Sequence, residues 1–376
     1  MLIPFYKKNN NKIQIFPVIF YICAYIKTGK LKKLIGFLVV FFFISEIGTS
    51  QIAHYSQFYS TPMTIAPSFA GLTEASRLSL NYRDQWPSIP GVFRTYSVGV
   101  DNYFKRAKSG VGILIFRDVA GAGKLGLTEA SLLYSYKIKV GQKRGNINSE
   151  WFLRPGIQFK YSQRSVNFEA LTFGDQLLGN HQPVSVEAPP LTNKAYIDFS
   201  ASLLAYTDLY WGGFSVDHLL KPSQSLYGLN NRMKMKWSVF GGVKVLLRDQ
   251  KNRRVRYGRD VENVTFAFNY QYWDQFDQLD IGAYWTHDPL ILGAWFRGIP
   301  IIDKKDKTFN NIDAIIVLVG FKLTPDLKIG YSYDMTVIRN LFSHTGGAHE
   351  FSIVYEFNKN LDRRFDKHTI IPCPSF

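Results

Sequence analysis

The chain has 376 residues, a formal net charge of +16 and 16 % aromatic side chains, with 22 Tyr and 30 Phe. After residue 50 no apolar run reaches the ~18 residues of a spanning helix, which excludes a helical membrane protein for that part of the chain. Residues 1–50 hold seven Lys and one Glu, which leaves a charge of +10 for the remainder. These charges are spread over predicted strand ends and turns, which argues against nucleic acid and favours acidic lipid headgroups or an acidic protein as counterparts.

Residues 1–50 are predicted to form a targeting segment that includes a signal peptide. Four lysines precede an uninterrupted apolar run over residues 34–44, which is too short to span a bilayer. Gly48 and Ser50 are small residues at the third and first positions before Gln51. This pattern predicts cleavage between Ser50 and Gln51, and the alternative is an uncleaved anchor.

Residues 51–76 are predicted to be an irregular N-terminal segment. They contain Pro62, Pro67 and Gly71 and show no sustained alternation of apolar and polar residues. The stretch from 326 to 336 is different, because it alternates with a period of two, as a strand with one apolar and one polar face does. Its apolar positions are Leu327, Ile329, Tyr331, Tyr333 and Met335, and its polar-face positions are Lys328, Gly330, Ser332, Asp334 and Thr336.

Alternation of this kind recurs along the chain in segments of roughly ten residues, near the length needed to cross a bilayer at a tilt. The pattern predicts an all-β protein, a closed antiparallel transmembrane β-barrel of about fourteen strands over residues 77–357. A periplasmic C-terminal tail is predicted over residues 358–376. A large soluble sandwich also alternates and is the alternative. The predicted strands are 77–86, 94–104, 110–118, 127–139, 151–163, 194–206, 208–217, 235–247, 261–273, 277–287, 290–297, 312–323, 326–336 and 347–357.

The predicted connections differ in length on the two rims of such a barrel. Those after odd-numbered strands include the long stretches 163–193, 218–234, 298–311 and 337–346, whereas most of those after even-numbered strands are short. Outer-membrane barrels have long extracellular loops and short periplasmic turns. We therefore expect the long connections to be extracellular.

Two connections are candidate binding sites. The loop over residues 163–193 is unusually apolar and is expected either to bind a client or to fold back as a plug; its apolar residues are Leu171, Phe173, Leu177, Leu178 and Val184. The connection over residues 248–260 is the basic exception among the short turns. It is either a solvated turn near headgroup phosphates or a docking site for periplasmic machinery, through Arg253, Arg254, Arg256 and Arg259.

No catalytic, metal-binding or cofactor-binding motif is recognised, and no nucleophile is identified for a lipid enzyme. Arg83, Arg154, Asp198 and Asp334 lie within predicted strands, where a lipid-facing charge is costly, so they are expected to form a polar network inside the barrel. Six tryptophans near strand ends are interpreted as interface anchors rather than sugar platforms. They are Trp151, Trp211, Trp237, Trp273, Trp285 and Trp295.

Four short motifs, spread over the chain, resemble those of the PorP/SprF family of Bacteroidetes outer-membrane proteins. Gln57-Phe58 with Pro62 and residues 65–71 resembles the family's N-terminal signature, and His349-Glu350 resembles part of its last-strand motif. Tyr82, Arg83, Gln85 and Trp86 look like its first-strand motif, and Cys373, Pro374 and Phe376 its C-terminal end.

The resemblance implies a component of the type IX secretion system in the outer membrane of a Gram-negative bacterium. It further implies partners among the other secretion components, and support for the secretion and surface retention of large adhesins, including those used in gliding motility. With the residues, it favours a non-enzymatic binding barrel surrounded by outer-membrane lipid, without cofactor. A porin or transporter for small solutes is the alternative.

The processing prediction is tested by the intact mass of protein purified from membranes. We expect a mass that begins at Gln51, because the apolar run is too short to anchor the chain. A mass that retains residues 34–50 would show that the segment remains as an anchor.

Overall fold

A computed structural model describes residues 55–57, 59–73, 75–140, 150–174, 176, 185, 191–227, 231–247, 262–274, 276–298, 312–337 and 345–357. Among these residues no helix has the length and apolarity that crossing a membrane requires. The helical elements that lie wholly within the described ranges are three short 3₁₀ turns, at Pro62–Thr64, Pro67–Phe69 and Phe168–Ala170. Nearly all other regular structure in these ranges is β-strand.

The described residues form fourteen strands, of which the fourth is interrupted at Lys137. They are β1 (Ser76–Gln85), β2 (Phe93–Phe104), β3 (Ser109–Ala120), β4 (Leu125–Tyr136, resumed at Ile138–Val140), β5 (Trp151–Ser165), β6 (Asn193–Tyr206), β7 (Tyr210–Asp217), β8 (Lys236–Leu246), β9 (Asn263–Trp273), β10 (Phe276–His287), β11 (Leu290–Gly298), β12 (Ile312–Lys322), β13 (Leu327–Thr336) and β14 (Ala348–Phe357).

Each strand pairs antiparallel with the strands before and after it. The sheet closes because β1 also pairs with β14, with Arg83 opposite Glu350 and Gln85 opposite Ala348. The predicted closed antiparallel barrel is therefore confirmed, and every predicted strand is present with its ends within two residues of the predicted ones. Closure leaves no unpaired sheet edge, which a membrane-spanning sheet cannot tolerate.

The two faces of the wall have opposite character, as the alternation predicts. Along β13 each polar-face residue is buried and each apolar residue between them is partly exposed. On β2 the outward Val98 and Val100 are both 42 % exposed, while Ser97 and Asp101 point inward and are buried. Apolar side chains that are exposed all around the outer wall, above a polar interior, are the arrangement of a transmembrane barrel.

The connections fall on two rims because successive strands run in opposite directions. We call the rim with the connections after odd-numbered strands the loop rim, and the other the turn rim. The loop rim carries the long stretches 166–192 and 218–235, but also the short connection 121–124. The turn rim carries tight turns such as 207–209, and two longer stretches, 141–150 and 247–262. The sorting by length is thus real but partial.

Described residues that precede β1 in the chain lie inside the barrel. Residues 55–57 and 59–73, here called the lumen segment, are almost entirely buried. Ser56 and Gln57 contact Glu350, two residues from the loop-rim end of β14. Ala70 and Gly71 contact residues at the turn-rim ends of β2 and β4, Asp101 and Ser135. The segment therefore runs obliquely along the lumen before β1 begins at the turn rim.

The outer belt is tested by the depth dependence of a charge on one strand. Phe268, at the middle of β9, and Tyr272, near its end, both face outward and are 38 % and 45 % exposed. Phe268→Arg should lower the free energy of unfolding in lipid vesicles by about 2–4 kcal/mol, and Tyr272→Arg by less than about 1 kcal/mol. Equal tolerance of both changes would contradict a membrane-embedded belt.

Candidate functional site

The lumen segment approaches the wall so closely that glycine is required at the contacts. A Cβ added at Gly110 would lie 2.0 Å from the carbonyl oxygen of Ala70, and one at Gly156 would lie 2.3 Å from the amide nitrogen of Ser68. Neither neighbour is a flexible side chain that can move aside. Glycine on a strand often marks such an approach of another backbone.

Polar groups of the wall satisfy the backbone of the lumen segment at its turn-rim end. Arg154 Nη2 donates to the carbonyl of Ala70 at 2.7 Å, and Arg154 Nη1 donates to that of Gly71 at 3.2 Å. Gly71, at φ +65°, donates its amide to Asp101 Oδ2 at 2.7 Å. Asp101 also accepts from Arg77 Nε at 2.8 Å. Without these partners the buried backbone groups would each cost about 1–3 kcal/mol.

Further along, hydroxyl groups of the wall take over this role. Ser202 Oγ accepts from the amide of Ser68 at 2.9 Å, and Ser215 Oγ donates to the carbonyl of Ile65 at 3.0 Å. Both serines are inward-facing and buried. Short hydroxyl side chains on the polar face of β6 and β7 thus serve as partners for backbone groups of a segment whose own regular structure is two short 3₁₀ turns.

Aromatic side chains fill the middle of the lumen. Tyr59 packs edge-on against Tyr284 with ring centroids 4.4 Å apart, and Phe69 packs against Phe240 at 5.3 Å and Trp211 at 6.2 Å. Trp211 and Trp295 are only 6 % and 3 % exposed, so their interpretation as interface anchors is wrong. They fall at inward positions of β7 and β11, where they contact the lumen segment instead of lipid.

At the loop-rim end the carboxylate of Glu350 binds the lumen segment directly. Glu350 Oε2 accepts the amide of Ser56 at 2.7 Å, and Oε1 accepts the amide of Gln57 at 2.9 Å. The Gln57 side chain donates to the carbonyl of Glu350 at 2.9 Å and accepts from Ser352 Oγ at 2.6 Å. Charge-assisted bonds to two successive amides are among the stronger hydrogen bonds in proteins.

Around this contact lies a buried group of opposite charges that meet at one hydroxyl. Arg83 lies 2.7 Å from Asp334 and 3.4 Å from Glu350, and Arg297 lies 3.2 Å from Asp334 and 2.9 Å from Asp280. The Ser56 hydroxyl donates to Asp334 at 2.6 Å and accepts from both arginines. Removing one member of such a buried group typically costs about 3–5 kcal/mol. The expected internal network of Arg83 and Asp334 is therefore present.

The other two charges expected in that network lie elsewhere. Arg154 is fully buried against the turn-rim end of the lumen segment. Asp198 contacts His218 at 2.7 Å, near a separate cluster in which Asp217 lies 2.9 Å from Lys160 and 3.2 Å from Lys236. The inward charges thus form several groups along the lumen, and only that around Glu350 touches the Ser56 end of the segment.

Three of the four family-like motifs meet at the seam where the barrel closes. Arg83 of β1 stands opposite Glu350 of β14, and Gln57 of the lumen segment binds Glu350. The outward residues of the same motifs, Tyr82 and His349, lie on the other face, where His349 Nδ1 is 2.8 Å from the Tyr331 hydroxyl. Trp86, just after β1, donates its amide to Gly347 at 2.8 Å. The C-terminal motif, Cys373, Pro374 and Phe376, lies outside the described residues.

The candidate binding loops are only partly described. Leu171 and Phe173 are half-buried at the loop rim, where Asn167 donates its amide to the carbonyl of Gly123 in the neighbouring connection at 2.8 Å. Leu177, Leu178 and Val184 lie outside the described residues, as do Arg253, Arg254, Arg256 and Arg259 and the predicted cleavage site. Sequence reasoning missed Ser56, Arg297 and the inward glycines as partners, because nothing local marks them.

A closed fourteen-stranded barrel with an apolar outer belt and a polar interior defines a β-barrel protein of the outer-membrane class. The sequence matches the family described as "Type IX secretion system membrane protein PorP/SprF" over residues 47–355. The chain belongs to this family, and it is an outer-membrane protein.

Comparison with curated proteins gave no match. Among solved structures, a mutant of the TodX monoaromatic hydrocarbon channel matches with 9 % identity and a TM-score of 0.40, over 80 % of this chain and 93 % of that chain. The CymD monoaromatic hydrocarbon channel matches with 11 % identity and a TM-score of 0.38, over 79 % and 91 %. Outer membrane phospholipase A from Escherichia coli matches with 9 % identity and a TM-score of 0.30, over 78 % and 98 %. Scores this low support no functional comparison.

Closure of the barrel by the lumen segment is tested by adding one methyl group where that segment contacts the wall. Gly156→Ala should displace the lumen segment, because its Cβ would lie 2.3 Å from a backbone nitrogen. We expect the variant to conduct ions in planar bilayers and the unchanged protein not to conduct them. Gly212→Ala is the control, since its Cβ would meet its nearest atom at an ordinary 3.6 Å. A folded, heat-modifiable Gly156→Ala barrel that conducts no ions would contradict closure by the lumen segment.

Proposed function

We propose that this protein is a non-enzymatic, non-conducting accessory barrel of the type IX secretion system. It supports secretion and surface retention of large adhesins by binding them at the loop rim, and it contacts periplasmic machinery at the turn rim. The proposal rests on the observation that the lumen segment occupies the barrel from the level of Glu350 to that of Arg154.

A filled lumen supports a scaffold role over a conduit role. Both ends of the lumen segment are held by charged groups of the wall, at Glu350 and at Arg154. Displacing the segment would remove several hydrogen bonds of these buried charges, which is expensive. An adhesin therefore meets this protein at a rim, and the rigid wall positions that rim.

The loop rim is the better candidate for the client. Loops on a rigid scaffold are where binding usually resides, and the loop rim carries the long stretches 166–192 and 218–235. The described start of the first loop packs on the neighbouring 121–124 connection, with Leu171 beside Gly123. Because another segment fills the lumen, the apolar loop is not needed as a plug, which favours the client-binding interpretation.

The turn rim is the better candidate for the machinery. Lys105, Arg106 and Lys108 are exposed in the β2–β3 turn on this rim. The sequence places Arg253, Arg254, Arg256 and Arg259 in the β8–β9 connection of the same rim. A basic rim of this kind attracts an acidic partner over distances of about a Debye length.

Client binding is tested by shortening the loop over residues 163–193. We expect a barrel that remains heat-modifiable on a gel and closed in planar bilayers, but no longer displays adhesin on the cell surface. Shortening the second long loop, over residues 218–235, serves as the matched control on the same rim. Normal display after the first change would remove the support for client binding by that loop.

Binding of the machinery at the turn rim is tested by reversing the charge of Arg253, Arg254 and Arg256 together. Loss of secretion components from pull-downs, with a folded barrel, is the expected result.

The porin alternative is tested separately by conductance of the unchanged protein, for which a steady open channel would favour solute transport over the binding role.

A further inference from the structure

The outer wall of the barrel carries two strongly basic side chains among its described strand residues. Every other Lys or Arg of the described strands occupies an inward position of the alternation, such as Arg83, Arg154 and Lys328. The two exceptions are Arg94 on β2 and Arg117 on β3, which share the outward register of Tyr96 and Ile115. They lie on adjacent strands, at the loop-rim end of both.

The register brings the backbones of these two arginines close together. Arg94 stands opposite Val119 and Arg117 opposite Tyr96, so the two arginines are diagonal neighbours, about 7–8 Å apart at the backbone. Two long side chains can reach one small anion over that distance. Positive charges at this separation repel each other, and an anion bound by both of them relieves the repulsion.

Asp84 neutralises only part of this charge. Its Oδ2 accepts from Arg94 Nε at 3.3 Å and from the Tyr82 hydroxyl at 3.1 Å. This contact uses Nε and leaves the two terminal nitrogens of Arg94 for another acceptor. The Arg94 side chain is 47 % exposed, and Arg117 is exposed as well. With Asp84 included, the group still carries one net positive charge.

The position along the strand identifies the kind of ligand. Below the arginines on the outward face of β2 come Tyr96, Val98 and Val100, all 42 % exposed. The Tyr96 ring packs against Tyr82 at 5.1 Å. Tyrosines mark the edge of the hydrocarbon layer, and the charged headgroups lie just beyond it. The arginines therefore lie at the depth of lipid phosphates.

Arg94 and Arg117 are the outward basic residues of the described strands, and they lie on neighbouring strands. A phosphate that they bind therefore lies on the β2–β3 side of the barrel.

We propose that Arg94 and Arg117 together bind a phosphate of a phosphorylated glycolipid in the outer leaflet of the outer membrane. Arginine suits this role because its planar fork binds phosphate oxygens through two parallel hydrogen bonds. The proposal rests on the orientation in the proposed function, with the loop rim outside. It adds a lipid ligand at a defined side of the barrel, separate from the client and machinery surfaces.

The test is native mass spectrometry of the full-length barrel in detergent with bisphosphorylated lipid A as the probe. The double variant Arg94→Gln with Arg117→Gln should reduce the bound fraction of lipid A about tenfold. Lys139→Gln with Arg232→Gln is the matched control, because it removes the same number of charges at exposed residues outside the β2–β3 pair. We expect it to leave lipid A binding unchanged. Lipid A without phosphates should bind the unchanged protein as weakly as bisphosphorylated lipid A binds the double variant.

Two results would overturn the lipid site. Equal losses for the double variant and the matched control would show attraction by overall charge only, and equal binding of the phosphate-free lipid would show apolar contact only. Orientation is measured independently with Ala122→Cys, an exposed loop-rim position, labelled by an impermeant maleimide on intact cells. Absence of labelling would overturn the outer-leaflet assignment and the proposed orientation. Binding in detergent does not depend on orientation, so it tests the phosphate site independently.

Discussion

The structure depends on a carboxylate that belongs to the last strand and binds the segment before the first. Glu350 accepts the amides of Ser56 and Gln57, 294 and 293 residues away in the chain, and lies 3.4 Å from Arg83 across the closing seam. One side chain thus joins the first strand, the last strand and the lumen segment. A carboxylate buried this deeply is stable only with such a complete set of partners.

The interior follows from that constraint. A membrane barrel has an apolar surface outside, and the lumen of this one combines hydrogen bonds and ion pairs at both ends of the lumen segment with a cluster of buried apolar side chains between them. The inward glycines at positions 110 and 156 let the lumen segment reach the wall, and Arg154 and Ser202 satisfy its backbone. A segment with only two short 3₁₀ turns of its own is thus held in place by the wall.

The outer surface divides into regions with different chemistry. The belt is apolar, the turn rim is basic at Lys105 and Arg106, and the loop rim combines long loops with outward charges of both signs. Because the lumen is occupied, the contacts proposed above with other molecules all lie on these surfaces. The pair formed by Arg94 and Arg117 is distinct from both rims' protein-binding candidates, since it faces the lipid.

The strands, their faces and the closed barrel could be predicted from the sequence, because a period of two is a local property that one face in lipid imposes along each strand. The opposite burial of neighbours such as Tyr333 and Asp334 follows from that alternation. What fills the lumen became clear only from the folded chain. Trp211 and Trp295 near strand ends have the pattern of interface anchors, and their packing against the lumen segment depends on residues more than 130 positions away. Contacts of that range have no local signature, so the roles of Ser56, Gly156 and Glu350 emerged only when the chain closed around them.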